Sequence, residues 1–355
     1  MKAGIFDPYL DTIGGGERYA MTVAEVLLKK DWQVDIFWND DKSKQKLINR
    51  FSLDISGVNF LPYSPRVNNL FGRYKIERNY DFLFYFSDGS IPLMFGKKNI
   101  LHFQVPFKNV LRKSLKNSLK LKTIDAVVCN SYFTKTVIDK CLEIKSLVVY
   151  PPVDVEAFMP LKKENIILAV GRFEKSLTEK RQDILIETFK KMIDNGLKSW
   201  KLVIAGGCSA DENKNEILNV LKNRAKSLPI EIKVNLPFSE LKELYAKAKI
   251  FWHAAGYGAD EEKNPEKVEH FGMTTVEAMA AGCVPIVQDK GGQKEIVEEG
   301  KSGFLWLSVD ELVTTTLKVI QNNELSERIS TNAIQRSKDF SKEKFYEKIY
   351  SLVEQ

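Results

Sequence analysis

Two carboxylates, Glu269 and Glu277, stand eight residues apart around a glycine in the run Glu269-His-Phe-Gly-Met-Thr-Thr-Val-Glu277. A loop that becomes a helix just past Gly272 leaves backbone N–H groups without intrahelical partners and sets a positive helix end beside them, which suits a diphosphate. The flanking carboxylates accept hydrogen bonds from hydroxyls. A ligand both anionic and rich in hydroxyls is implied, and a sugar nucleotide meets both conditions. The alternative for the second acid is a capping box, since Thr274-x-x-Glu277 has that form and Glu277 would then only satisfy a helix terminus. A retaining hydrolase gets no support. It needs its carboxyls about 5 Å apart, whereas eight residues of helix rise about 12 Å and rotate the side chains about 80° apart.

Cations with the chemistry to face a diphosphate lie upstream. Gly171-Arg172 ends a β-branched run, and Lys180 follows a polar loop just ahead of the helical pattern Arg181 to Asn195. A planar guanidinium fork and a point-charge ammonium together suit the neutralisation of a departing pyrophosphate. As solvated loop charges these residues would need no ligand, and for Arg181 that plainer reading is preferred. Near the N-terminus, Ile13-Gly-Gly-Gly-Glu-Arg18 opens an amphipathic run after a first strand, so that backbone could approach a phosphate where a Cβ would not fit. It is not the G-x-G-x-x-G dinucleotide fingerprint, and a plain tight turn is the alternative. His102 ends the run Asn99-Ile-Leu-His-Phe-Gln104, where a ligand would lie, although a lone strand-end histidine is more often structural. His253, His270 and the acidic run Asp260-Glu-Glu262 read as structural or solvated, and no metal site is expected.

The elements that must position these groups form an α/β series. Short apolar runs near 2–7, 33–38, 59–62, 82–86, 100–103, 126–129 and 147–150 alternate with helical patterns, as parallel sheets require. Tyr150-Pro-Pro-Val-Asp154 cannot continue a ladder or a helix and marks a boundary. A second series follows at 165–172, 201–205, 231–236, 250–253, 284–287 and 303–306. The expected domains are 1–153 and 154–338, with a cleft between them, and a closing helix at 339–355 whose Phe345, Ile349 and Leu352 share a face and pack back on the first domain.

A length of 355 residues fits two cores. No apolar run approaches the ~20 residues of a membrane span. The four cysteines, Cys129, Cys141, Cys208 and Cys283, lack metal-site spacing and suit a reducing compartment, so the expectation is cytoplasmic, with peripheral attachment at the inner face of the membrane. That attachment rests on residues 108–122, which hold six Lys or Arg and no acid while leucines recur at helical spacing. A solvated surface helix is the equal alternative, and nucleic acid is disfavoured.

Taken together, the glycines at 14–16, Pro151-Pro-Val-Asp154, Gly171-Arg172 with Lys180, Glu269-x7-Glu277, Ala278-Met-Ala-Ala-Gly282 and Gly291-Gly292 resemble the retaining glycosyltransferases of family 4, over most of the chain. Gly14-Gly-Gly-Glu-Arg18, Leu101-His-Phe103 with Pro106, and Pro151-Pro152 look especially like mannosyltransferases that extend lipid-linked oligosaccharides. The resemblance implies a GT-B fold of two facing Rossmann-like domains. It also implies that Arg172 and Lys180 hold the donor diphosphate, that Gly15 and Gly16 approach it, and that Glu269 binds sugar hydroxyls. Backbone N–H groups from Phe271, Gly272, Met273 and Thr274 would hold sugar and phosphate, Glu277 the ribose, His102 the sugar, and Phe238 the wall beside the base. No cofactor is implied, because the donor, GDP-mannose by preference or a UDP-hexose, is a substrate. The partner would be a glycan or lipid-linked acceptor. The rivals are a non-catalytic sugar-nucleotide-binding subunit and an epimerase of the same plan. One departure stands out: the stretch from Gly256 to Val268 is longer and more charged than the family's usual loop.

Overall fold

The computed structural model describes residues 1–10, 14–38, 53–64, 69–110, 115–174, 178–208 and 215–354. The chain divides into two compact units, Met1–Pro152 with Lys342 onward, and Val153–Ser341.

Unit 1 contains a seven-stranded sheet of β1 (Lys2–Phe6), β2 (Gln33–Phe37), β3 (Asn59–Leu61), β4 (Phe82–Phe86), β5 (Asn99–Phe103), β6 (Ala126–Cys129) and β7 (Leu147–Val148). Its order is β3-β2-β1-β4-β5-β6-β7, every pair parallel. All five residues of β4, Phe-Leu-Phe-Tyr-Phe, are buried. A strand covered by helices on both faces needs such a continuous apolar run in place of alternation. The helix Gly15–Leu28 covers one face, burying Tyr19, Met21, Val23, Val26 and Leu27.

Unit 2 repeats the plan with β8 (Glu164–Val170), β9 (Lys201–Gly206), β10 (Ile230–Val234), β11 (Ala248–His253), β12 (Val284–Gln288) and β13 (Phe304–Trp306). The order is β10-β9-β8-β11-β12-β13, again all parallel. Strand order reverses between β1 and β4 in unit 1 and between β8 and β11 in unit 2. Neighbouring crossovers depart to opposite faces at those points, so each sheet has a crevice beyond its carboxyl edge there.

The closing helix runs Lys342–Glu354 and buries Phe345, Ile349 and Leu352 in the core of unit 1. Each such side chain contributes roughly 1.5–3 kcal/mol. Phe345 meets Tyr19 edge-on at 4.8 Å, and Lys342 Nζ lies 2.7 Å from Glu25 Oε2. Unit 2 reaches Ser341, three residues past the expected boundary at 338. The turn Lys338–Phe340 stays with unit 2 because the Phe340 ring packs 5.6 Å from Phe271 and under the Arg336 guanidinium at 5.0 Å. Among the described residues no helix is long and apolar enough to cross a membrane.

Candidate functional site

The carboxyl ends of β8 and β11 lie side by side in unit 2, and Gly171-Arg172 and His253 occupy them. A small cavity there is lined by Gly171, Lys180, Gln182, His253 and Ala254. Gln182 Nε2 donates to the Arg172 carbonyl at 3.1 Å, which fixes the turn while the Arg172 side chain stays exposed. Lys180 Nζ lies 2.7 Å from Glu269 Oε2, and His253 Nε2 lies 3.1 Å from the same oxygen. A carboxylate only accepts, so His253 holds its proton on Nε2. Burial works against the charge of Glu269, but Lys180 and His253 outweigh it and hold the carboxyl well below the usual carboxylate range. Lys180 and Glu269, 89 residues apart in sequence, are thus brought together. His253, read from the sequence as structural, joins them; its place at the carboxyl end of a strand beside the reversal of strand order marks it for the site.

The turn after Glu269 is shaped by glycines. Gly272 has φ +121°, and a Cβ on it would lie 2.4 Å from Gln293 Nε2, so backbone conformation and space both favour glycine. A Cβ on Gly291 would lie 2.1 Å from the Glu269 carbonyl oxygen, and Gly292 N–H donates to that oxygen at 2.8 Å. The Gly291-Gly292 turn therefore supports the backbone of Glu269 directly.

The helix Met273–Ala280 starts with Gly272 as its N-cap and has no side-chain cap. Thr274 is already the second helical residue, so the capping-box alternative fails. Glu277 lies a turn inside the helix and accepts from Tyr245 Oη at 3.0 Å. First-turn N–H groups at Met273 and Thr274 have no carbonyl four residues back within the helix. At the opposite end Lys163 Nζ donates to the Ala281 carbonyl at 2.6 Å, a cation where the helix dipole is negative, and burial pushes its pKa down.

The long loop before Glu269 is braced throughout. Glu261 accepts from Gly291 N–H at 2.7 Å and pairs with Lys294 at 2.7 Å. Thr178 Oγ1 donates to the Val268 carbonyl at 3.1 Å. Arg181, expected as a solvated loop charge, instead forks onto Asp183 at 3.1 Å and donates to the Tyr257 carbonyl at 2.8 Å. Its backbone is left-handed, φ +49°, which turns the side chain out of the helix that follows. His270 lies 3.1 Å from the Glu266 carbonyl and has its pKa lowered by burial, as a structural residue would. Phe238 opens the helix Phe238–Lys247 just past β10, with its ring edge-on to Phe158 at 5.9 Å. Among the described residues no group of three His, Cys, Asp or Glu side chains could hold a metal.

In unit 1, Gly15 and Gly16 are the first two residues of the helix Gly15–Leu28, and Gln104 Nε2 contacts the Gly16 carbonyl at 3.4 Å. His102 is fully buried. Its ring stacks on Tyr19 at 4.2 Å and meets Phe86 at 4.8 Å, and burial pushes its pKa down to about 3. The aromatic core of β4 accounts for this: a neutral imidazole replaces one more ring. Of the basic stretch 108–122, residues 111–114, including Arg112 and Lys113, lie outside the described residues. The described helix there is only Leu115–Leu121.

Two doubly wound parallel sheets, one carrying a cation, a carboxylate and a bare helix start beyond its strand-order reversal, are the architecture of a GT-B glycosyltransferase. Over 99% of its length the chain shares its fold with a glycosyltransferase from Rickettsia africae ESF-5 (TM-score 0.79, 19% identity, 97% of that chain). It likewise shares its fold with Anabaena Alr3699/HepE in complex with UDP and glucose (TM-score 0.70, 16% identity, 99% of this chain and 98% of that one). The profile of glycosyl transferases group 1 matches residues 155–336, just over half of the chain, which belongs to that family. A curated relative, GDP-Man:Man(3)GlcNAc(2)-PP-Dol alpha-1,2-mannosyltransferase of Xenopus laevis, is 32% identical over 205 residues. The match covers 52% of this chain and 39% of that protein, so the chain matches about two fifths of that relative's length.

Proposed function

We propose that the chain transfers a hexose from a nucleoside-diphosphate sugar to an acceptor hydroxyl with retention at the anomeric carbon. The observation that carries this is the meeting of Lys180, His253 and Glu269 beside the helix start at Gly272. Lys180 has three N–H donors, and Glu269 takes one of them. The others serve the donor diphosphate, together with Arg172 and the N–H groups of Met273 and Thr274. Glu269, held ionised, accepts from sugar hydroxyls. Tyr245 steadies Glu277 for the ribose, and Phe238 lies beyond β10, two strands or about 10 Å from β8, a nucleoside's reach away. In the reaction the bond from the anomeric carbon to the diphosphate oxygen breaks as the acceptor oxygen bonds on the same face. The acceptor proton passes to the departing oxygen, and the fixed cations stabilise the charge developing there. No metal is assigned a part. A role for His102 on the sugar requires its ring to gain an exposed face, now covered by Tyr19 and Phe86.

Mannose from GDP-mannose is the preferred donor, because the alpha-1,2-mannosyltransferase relative is named for it. A UDP-hexose is the second reading, favoured by the fold neighbour holding UDP and glucose. The acceptor is a glycan or a lipid-linked saccharide at the cytoplasmic face of a membrane, with the helix Leu115–Leu121 toward the lipid.

The test is turnover of a panel of nucleotide sugars with and without added acceptor. Lys180→Ala and Glu269→Ala should each lower transfer by about 10²–10³. Unchanged turnover in both would refute the site; donor binding without turnover would favour a non-catalytic subunit, and an epimer formed from donor alone an epimerase.

A further inference from the structure

The helix Leu70–Glu77 in unit 1 is built inside out. Its two buried side chains are both charged, Arg73 and Glu77, joined by a 2.9 Å ion pair. Tyr63 Oη donates to Glu77 at 2.7 Å and Arg73 donates to the Leu93 carbonyl, so the buried charges are satisfied. Apart from Lys75, the side chains left in water are apolar: Leu70 is 60% exposed, Phe71 67%, Tyr74 47% and Ile76 36%. Helices on a globular surface normally show the reverse pattern.

Cations rim these residues. Lys75 Nζ lies 4.7 Å over the Phe71 ring, and the Arg78 guanidinium 5.5 Å over Tyr74. The helix Leu115–Leu121 has no buried side chain at all and adds Leu115, 87% exposed, and Leu119, 61% exposed, with Lys116 and Lys122 also in solvent. Both helices are tied to one short segment. Phe95 N–H donates to Glu77 at 3.2 Å, while Lys120 Nζ donates to the Ile91 carbonyl at 2.6 Å and Thr123 Oγ1 accepts from Met94 N–H at 3.1 Å. Burial and the charges of Lys116 and Arg73 lower the pKa of Lys120, as adjacency of the two helices requires. Within 69–79 and 115–122 the single acid is Glu77, buried and paired.

We propose that the helices Leu70–Glu77 and Leu115–Leu121 together dock unit 1 on an anionic lipid surface, with Leu70, Phe71, Tyr74, Leu115 and Leu119 inserting among the lipids and the surrounding lysines and Arg78 on lipid phosphates. This deepens, and rests on, the membrane partner in the function proposed above. The occupant must be apolar and negatively charged at once, which an anionic bilayer is. A second copy pairing through the same face would bring its own cations against these, and like charges repel.

The full chain is sedimented with vesicles of phosphatidylcholine alone or mixed with phosphatidylglycerol. It should pellet with the mixed vesicles and not with phosphatidylcholine. Phe71→Ser with Tyr74→Ser should weaken binding about tenfold or more, the factor that burial of one large apolar side chain carries. Lys75→Glu with Arg78→Glu should abolish the preference for phosphatidylglycerol. All four positions are solvent-exposed, and unchanged thermal unfolding confirms that the variants fold. Variants that bind like the parent chain overturn the proposal, as does a vesicle-free dimer that the Phe71 and Tyr74 substitutions dissociate. Turnover of nucleotide sugars with a soluble acceptor is the separate readout: its absence alongside intact vesicle binding sinks the catalytic assignment alone, and its presence without vesicle binding sinks the docking face alone.

Discussion

Glu269 Oε2 accepts from Lys180 and His253 at once, and this double pairing is what keeps a part-buried carboxyl ionised. Residues one step removed matter for the same reason. Tyr245→Phe removes the hydroxyl that orients Glu277; hydrogen bonds to charged groups contribute about 1.5–3 kcal/mol, so KM for the donor should rise about tenfold with a smaller fall in kcat. Steady-state kinetics with donor varied will show it. Glu261→Ala should lower donor affinity through the Gly291 turn that supports Glu269, while Glu261→Gln, which still accepts from Gly291 N–H, should retain most of it. Calorimetric titration of the nucleoside diphosphate is the measurement. At this scale the meeting of Lys180 and Glu269 was legible from their places after a strand-end glycine and before a helix-opening one. The sequence was not readable for Glu261, whose partners lie about 30 residues away and whose charge looked like one more solvated loop acid.

Elements carried the clearest signal. The all-apolar β4 and the glycine-started helix after β1 could be read because both faces of a parallel sheet are covered, and the pattern is local. The outward apolar face of the helix Leu70–Glu77 was not legible, for a complementary reason: its periodicity is inverted, and the Arg73–Glu77 pair that makes the inversion tolerable closes only in three dimensions. The Gly291-Gly292 turn yields a prediction at this scale. Gly300 and Gly291 both have positive φ, +67° and +58°, but a Cβ on Gly300 meets nothing within 4 Å whereas one on Gly291 strikes the Glu269 carbonyl. Gly300→Ala should therefore cost roughly 1–2 kcal/mol of left-handed strain alone. Gly291→Ala should cost clearly more and should also abolish donor binding, by urea unfolding and nucleotide titration of both variants.

Across the whole molecule, both units should weaken in acid through buried histidines, His102 in unit 1 and His270 in unit 2. His102 in unit 1 has its pKa lowered to about 3, so the unfolded chain takes up that proton first. Its contribution is complete above about pH 6.5 and declines by about 1.4 kcal/mol per pH unit as pH falls toward the folded value. Glu269 in unit 2 is also lowered, but from the carboxylate range, so its contribution persists to about pH 4.3 and is lost only below it. Urea unfolding at stepped pH should show unit 1 weakening as pH falls below about 6.5, with His270 in unit 2, whose pKa burial lowers from the same imidazole range, adding its own loss there. His102→Leu should flatten that slope whatever its effect at neutral pH, and an unchanged slope would disprove the role assigned to the imidazole.

The chain leaves unit 1 after Pro152 and returns to it at Lys342, so unit 1 is written in two pieces while unit 2 is continuous. During synthesis the sheet of unit 1 emerges first, yet the hydrophobic side chains of Phe345, Ile349 and Leu352 that finish its interior come from the ribosome after all of unit 2. The first piece made is therefore among the last to mature. Until then Tyr19 lacks the edge-on ring of Phe345, and that unfinished apolar side stands open to non-native contacts.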